Sequence, residues 1–363
     1  MRFSMNKLPF SLRSIAKPAV SAALTLSLLA PLQVNAQSSE AENAQAESDT
    51  GLVVTRGFNV TEDTQSAQLQ KWVYTAQDQR QSDEERAEAL RQLARYPSQN
   101  SLVAVVRGLR DSSAAVREAA VIGAEPYQFE HRWRMISPLL NDPALQVKLA
   151  ATTSLIRDFG NMSPEQQAMM ENPTSALIRH LSEQEDEGMQ LLLADVYRWH
   201  QEFERASRLY QRLLADNQTD PQIWLSMADN QRAQGLDSDA LVTLEQAIER
   251  LPNEANLHYS KALTLVRLEQ KNVAAKAMQR AASIAKTNSY FWYLSGVLQE
   301  PVNLDAAISA LEQAYLISGA PEQLYAVCDI YIRNGHQKTD ACLQELGKIA
   351  PEYVINELQS KRG

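Results

Sequence analysis

Few side chains in this chain are spaced for catalysis. The five histidines, His131, His180, His200, His258 and His336, are scattered with no metal-ligand spacing. Glycine numbers only 12 of 363 residues, and no glycine-rich loop stands where a phosphate could be cradled. Carboxylates are plentiful, but no two stand out as an acid and base pair, and no nucleophile sits beside a plausible base. The two cysteines, Cys328 and Cys342, lack the CxxC spacing of a redox motif. The residue types therefore point away from an enzyme, with no catalytic residue, metal or cofactor expected. What remains is a set of arginines, tyrosines and aspartates recurring at regular intervals, which suits recognition.

The elements that carry them are announced by a fixed period. From Glu187 to Asn288 three units of 34 residues follow one another, with small residues at Ala194, Ala228, Ala262 and Gly296 and again at Ala206, Ala240 and Ala274. Tyr210, Leu244 and Met278 keep the same beat, and Trp224 and Trp292 stand two steps apart. A period of this length marks a solenoid, in which each unit buries its apolar face by stacking on its neighbours.

The units from Glu187, Pro221 and Ala255 resemble tetratricopeptide repeats. The second lies nearest the pattern, with Trp224, Met227 and Ala228 on one helix, Gly235 in the turn, Ala240, Leu244 and Ala247 on the next, and Pro252 closing it. A fourth unit, from about Ser289 to Ser318, has its second helix one residue early and Pro301 in its turn. A fifth, from about Pro321, leaves the pattern after His336 and reads as the capping unit. The resemblance implies an all-α, right-handed solenoid of helical hairpins. It also implies a concave groove lined by the first helices. Projected onto this sequence, the groove holds Leu191, Asp195, Arg198 and Trp199, then Leu225, Asp229 and Arg232, then Tyr259, Leu263 and Arg267. Tyr290, Tyr293, Tyr325, Asp329 and Arg333 continue it. Arginine and tyrosine together suit a protein interface, because tyrosine offers rigid amphipathic area and arginine a planar donor fork. The competing reading pairs the arginines with Asp195, Asp229 and Asp329 inside the array. Cys328 and Cys342 fall where small residues of the fifth hairpin would face each other, so a disulfide is expected, with two buried free thiols as the alternative.

Upstream, two related units place Asp111, Val116, Arg117, Ala119 and Ala120 at 31 residues from Asp142, Val147, Lys148, Ala150 and Ala151. This pair resembles HEAT-type repeats, in which the basic residue after valine meets the turn aspartate of a neighbouring unit. Arg117 and Lys148 are accordingly expected to be structural. Before them, Leu69, Trp72, Val73 and Ala76 form a helical stripe, and Ser82 with Glu85 resembles a capping box. Pro164 and Pro173 are expected to flank a short helical run, with a separate helix at Ser175 to Ser182.

Residues 1–36 read as a signal peptide. Arg2, Lys7, Arg13 and Lys17 precede an apolar run from Ala19 to about Leu32, and Val34-Asn35-Ala36 fits a cleavage site. The expected product is periplasmic, for a Gram-negative bacterium, with no stable membrane insertion. Removing the leader takes Lys plus Arg from 35 to 31 against 44 Asp plus Glu, a net charge of −13 that argues against nucleic acid and anionic lipid. Residues 37–64 are expected to be a disordered or extended spacer, with Leu52-Val53-Val54, Phe58 and Val60 as a candidate strand. The remaining divisions are HEAT-like repeats over 65–160, connecting helices over 161–186, the array over 187–353 and a polar tail over 354–363. The leading reading is a scaffold that binds another exported protein. A chaperone or assembly factor for clients such as apocytochromes is the alternative. A similar order of repeats is appended to some exported multihaem cytochromes, although no CxxCH motif occurs here.

Overall fold

The computed structural model describes residues 59–362, and the expected leader and the candidate strand up to Phe58 lie outside them. Among the described residues there are eighteen α-helices, two short 3-10 turns and no strand. Among the described residues no helix is long and apolar enough to cross a membrane. The fold is an α-solenoid of helical hairpins.

The N-terminal stack comprises α1 (Asn59–Gln77), α2 (Asp83–Leu93), α3 (Gln99–Gly108), α4 (Ala114–Gly123), α5 (Phe129–Ile136) and α6 (Leu145–Ile156). Helix therefore begins six residues inside the span expected to be spacer, and Val60 is helical, not extended. The capping box of Ser82 and Glu85 is formed, with each residue's side chain satisfying the other's backbone N–H. Between units a charged ladder recurs. Arg86 pairs with Asp111, and Arg117 with Asp142, each pair 25 residues apart and largely shielded from solvent. Each aspartate also accepts the backbone N–H two residues on, from Ser113 and Ala144, and so fixes the turn that opens the next helix. One carboxylate thus holds two units together.

The connector is a single helix, α7 (Pro164–Ser182), with Pro173 inside it. The expected break at Pro173 does not occur. Proline removes one backbone bond, but Met170, Thr174, Leu177 and Leu181 are buried along one stripe of this helix, and that stripe carries it through.

Five hairpins follow: α8 (Glu187–Trp199) with α9 (Phe203–Asp216), α10 (Pro221–Ala233) with α11 (Asp237–Arg250), α12 (Ala255–Arg267) with α13 (Lys271–Ile284), α14 (Ser289–Gln299) with α15 (Leu304–Ser318), and α16 (Pro321–Arg333) with α17 (Thr339–Leu346). The small residues on the 34-residue beat are all buried, Ala194, Ala206, Ala228, Ala240, Ala262 and Ala274 completely. Their size sets how closely paired helices approach. At Gly296 the approach is closest: a Cβ there would lie 2.6 Å from Leu311 Cγ.

The turns inside the hairpins share one construction. Gln201, Gly235, Glu269 and Gly335 have φ of 65°, 76°, 62° and 61°. The next residue's N–H, at Glu202, Leu236, Gln270 and His336, returns to the carbonyl five residues back at 2.8 to 2.9 Å. This is the Schellman arrangement, which closes the last turn of the first helix. Only the shortened fourth hairpin departs, with Asn303 at φ −153°.

In the fifth hairpin the sulfurs of Cys328 and Cys342 are bonded, with Cα atoms 5.5 Å apart, so α16 and α17 are joined covalently. The C-terminal segment, read as a polar helix end, contains α18 (Glu352–Gln359), which packs on α16 and buries Leu358 completely.

Candidate functional site on the first helices of the array

The residues projected into the groove come from α8, α10, α12, α14 and α16, and they divide into three zones.

In the first zone, Asp195, Arg198 and Tyr210 close a triangle. Tyr210 Oη donates to Asp195 Oδ1 at 2.6 Å, Arg198 Nη2 donates to the same oxygen at 2.8 Å, and Arg198 Nε donates to Tyr210 Oη at 3.2 Å. Burial, reinforced by the Asp195 charge, pushes the Tyr210 hydroxyl well above the usual phenol range. Arg198 loses solvation by burial, yet Asp195 and Tyr210 outweigh that and hold it charged. With Nε and Nη2 engaged inside the hairpin and the side chain largely shielded, Arg198 serves the array first. Trp199 is likewise committed, since the guanidiniums of Arg157 and Arg198 lie over its ring at 5.3 and 5.5 Å from the centroid. It packs against both the N-terminal core and the core of the first hairpin. Its work is to join the two stacks.

Arg232 begins the second zone and touches Asp229 on its own helix. Burial, with repulsion from Arg267 and Arg198, pushes Arg232 down to about 10, so it stays charged at neutral pH. Arg267 reaches across from α12, pairing with Asp237 at 2.8 Å and donating to the Arg232 carbonyl at 3.3 Å. About half of its side chain remains exposed. Beside it stands an aromatic group. Tyr259 stacks on Phe291 at 4.9 Å between ring centroids and meets Tyr290 edge-on at 6.5 Å. Burial, then Tyr290, pushes the Tyr259 hydroxyl up to about 12. Tyr293 is raised for the same reason, burial first, with Tyr290 and Asp329 adding to it. Tyr290 is the exposed member of the group. Leu191, Leu225 and Leu263 are half-buried.

The third zone is a network of charges. Arg333 pairs with Glu300 and with Asp329 at 2.7 Å, and Lys361 Nζ meets Asp329 Oδ1 at 2.7 Å. Lys361 Nζ also donates to Tyr325 Oη at 3.0 Å, and Tyr325 Oη donates to Glu357 at 3.3 Å. The C-terminal segment is therefore part of this surface.

The structure thus pairs Arg198, Arg232 and Arg333 with Asp195, Asp229 and Asp329, as the competing sequence reading had it. It also brings in Phe291, Asp237, Glu300 and Lys361, which residue type alone did not flag. Glu300 had a signal: it lies three periods of 34 beyond Arg198, in the column of Arg198 and Arg232, with the charge reversed. Two hollows on the described surface, about 590 Å3 between α1 and α3 and about 330 Å3 against α9, are lined by none of these residues. Among the described residues no cluster of three or more His, Cys, Asp or Glu could hold a metal ion.

No protein-family model matches the chain, and no curated protein does. Among solved structures it is similar to a crystal structure of MamA, at 20% identity and TM-score 0.37 over 47% of this chain and 95% of that one. It is similar to YrrB, described as a TPR protein with an unusual peptide-binding site, at 18% identity and TM-score 0.39 over 55% and 98%. It is similar also to TTC0263, a thermophilic TPR protein of Thermus thermophilus, at 19% identity and TM-score 0.33 over 48% and 98%. The solenoid assignment rests on the chain's own helix order and 34-residue spacing.

Proposed function

We propose that this chain is a non-catalytic scaffold, exported to the periplasm, whose tetratricopeptide-like array binds an extended segment of another protein along the first helices. The observation that carries the reading is the junction of the second zone. Arg232, buried and paired with Asp229, stands beside Tyr259 of the tyrosine cluster, and Arg267, half exposed, reaches the Arg232 carbonyl from the next hairpin. A buried guanidinium with repelling neighbours gains most from an incoming carboxylate, and adjacent rings offer rigid area to an apolar or prolyl residue. The favoured partner segment therefore combines an acidic residue with an apolar one a few positions away. A chaperone that holds many exported clients would use the same surface less selectively.

The test is crosslinking capture from periplasm with wild type and with R232E/R267E and Y290A variants. Arg198 is left intact because its loss would break the buried triangle. A scaffold loses one stoichiometric partner in both variants while remaining folded by circular dichroism. Retention of every partner by both folded variants rules out this surface, and a spread of many weakly held clients favours the chaperone reading.

A further inference from the structure

A second surface lies off the first-helix face, on α9. Arg205, Arg208 and Arg212 follow one another at intervals of three and four, which places them along one helix face. They surround an open hollow of about 330 Å3 lined by Tyr197 and Leu209 as well. The three cations are unequally committed. Arg205 lies 4.0 Å over the Tyr197 ring, donates to Tyr197 Oη at 2.6 Å and pairs with Glu202 at 2.6 Å. Arg212 donates to the Gln190 side-chain oxygen at 2.7 Å. Arg208 has no hydrogen-bond or ion-pair partner among the described residues, although Glu204 precedes it by one turn. Glu202 is the one carboxylate in contact with the three guanidiniums, so the patch keeps an excess of positive charge in a chain whose formal net charge is −9.

We infer that this hollow docks an acidic amphipathic helix of a partner protein, with an apolar side chain against Leu209, beside the Tyr197 ring that Arg205 covers, and carboxylates reaching Arg208 and Arg212. The volume suits one or two side chains and falls at the small end of ligand sites. The apolar floor is what a carboxylate-bearing helix can use and a bare phosphate cannot. A short helix carrying both carboxylates and one apolar anchor matches the small volume, the limited apolar lining and the local excess of arginines.

The experiment is fluorescence anisotropy on the full chain with a labelled helical peptide that carries leucines on one face flanked by glutamates, and a photoreactive group beside the leucines. The comparison is between wild type, R208Q/R212Q, and R110Q/R134Q, which makes the same charge change elsewhere on the surface. Expected are binding that weakens as salt rises, a loss of at least ~10-fold in R208Q/R212Q, and little change in R110Q/R134Q. Crosslinks should fall between Tyr197 and Arg212. The inference is overturned by absence of binding to wild type, by equal loss in the two variants, by crosslinks on Tyr259 to Tyr293, or by equal binding of a lysine-for-glutamate peptide. Preferential binding of anionic vesicles or inorganic phosphate at the same arginines overturns it as well.

Discussion

Arg117 and Asp142 are joined by two parallel hydrogen bonds, Nε to Oδ2 at 2.7 Å and Nη2 to Oδ1 at 2.8 Å, across successive units of the N-terminal stack. The pair is largely buried, so removing one partner strands the other's charge. R117A should cost about 3 kcal/mol, read as a lowered denaturant midpoint. The Arg117 hydrogen bonds hold the Asp142 carboxyl below its ordinary value. A depressed folded value means that the stabilisation is present above the unfolded value, about 3.9, and disappears as pH falls through the lower folded value. The difference between wild type and R117A should therefore be full at neutral pH and shrink at strongly acid pH. A difference that persists unchanged in acid would mean packing, not the ion pair, is responsible.

The left-handed turns make opposite predictions for glycine and non-glycine positions. Gly235 has open space where a Cβ would go, so G235A should destabilise by about 1 kcal/mol through backbone strain alone. Glu269, exposed and at φ 62°, already carries that strain. E269G should leave stability unchanged or raise it by up to about 1 kcal/mol, the relief of strain being set against the greater freedom of the unfolded chain. Thermal melts of both variants check the pair, and equal losses would contradict the account.

Gly296 is a different case, because steric room is the constraint. G296A drives its new methyl into Leu311 and towards the Ala307 carbonyl. Overpacking of this kind costs about 1–3 kcal/mol. The G296A/L311A double variant should lose less than the sum of the two single losses, a coupling that a backbone-strain mechanism would not give.

For Cys328 and Cys342, thiol titration of the unfolded, unreduced protein should find no free thiol. The C328A/C342A variant should lose about 3 kcal/mol in the chain-entropy view of a loop this short. The loss should be confined to the last hairpin and α18, visible as faster amide exchange there while the second and third hairpins are unaffected.

The sequence period exposed what repeats by steric necessity. Small residues at the helix crossings must recur, because each hairpin closes at the same distance, and Ala194, Ala228 and Ala262 could be read directly. Arg86 belonged to the same 31-residue ladder as Arg117 and went unread, since only the later two units matched in all five positions. Which carboxylate an arginine chooses was not legible: Arg267 passes over its own helix to reach Asp237, a choice made by side-chain reach and hairpin spacing. Pro173 misled because local propensity is a weak term against a buried stripe on both sides of it. That α18 packs back on α16 was not legible, because Leu358 is its one fully buried side chain.

The indole of Trp199 meets a guanidinium from each stack, Arg157 and Arg198, which makes it a natural probe of the joint of this molecule. In a solenoid a displacement passes only from one unit to the next. Any load that changes the curvature of the array must reach the N-terminal stack through its junction, where it alters the spacing of Arg157 and Arg198 about that ring. The emission of Trp199, isolated by replacing the other four tryptophans with phenylalanine, would report the bending of the array from a position that no partner on the first helices needs to touch.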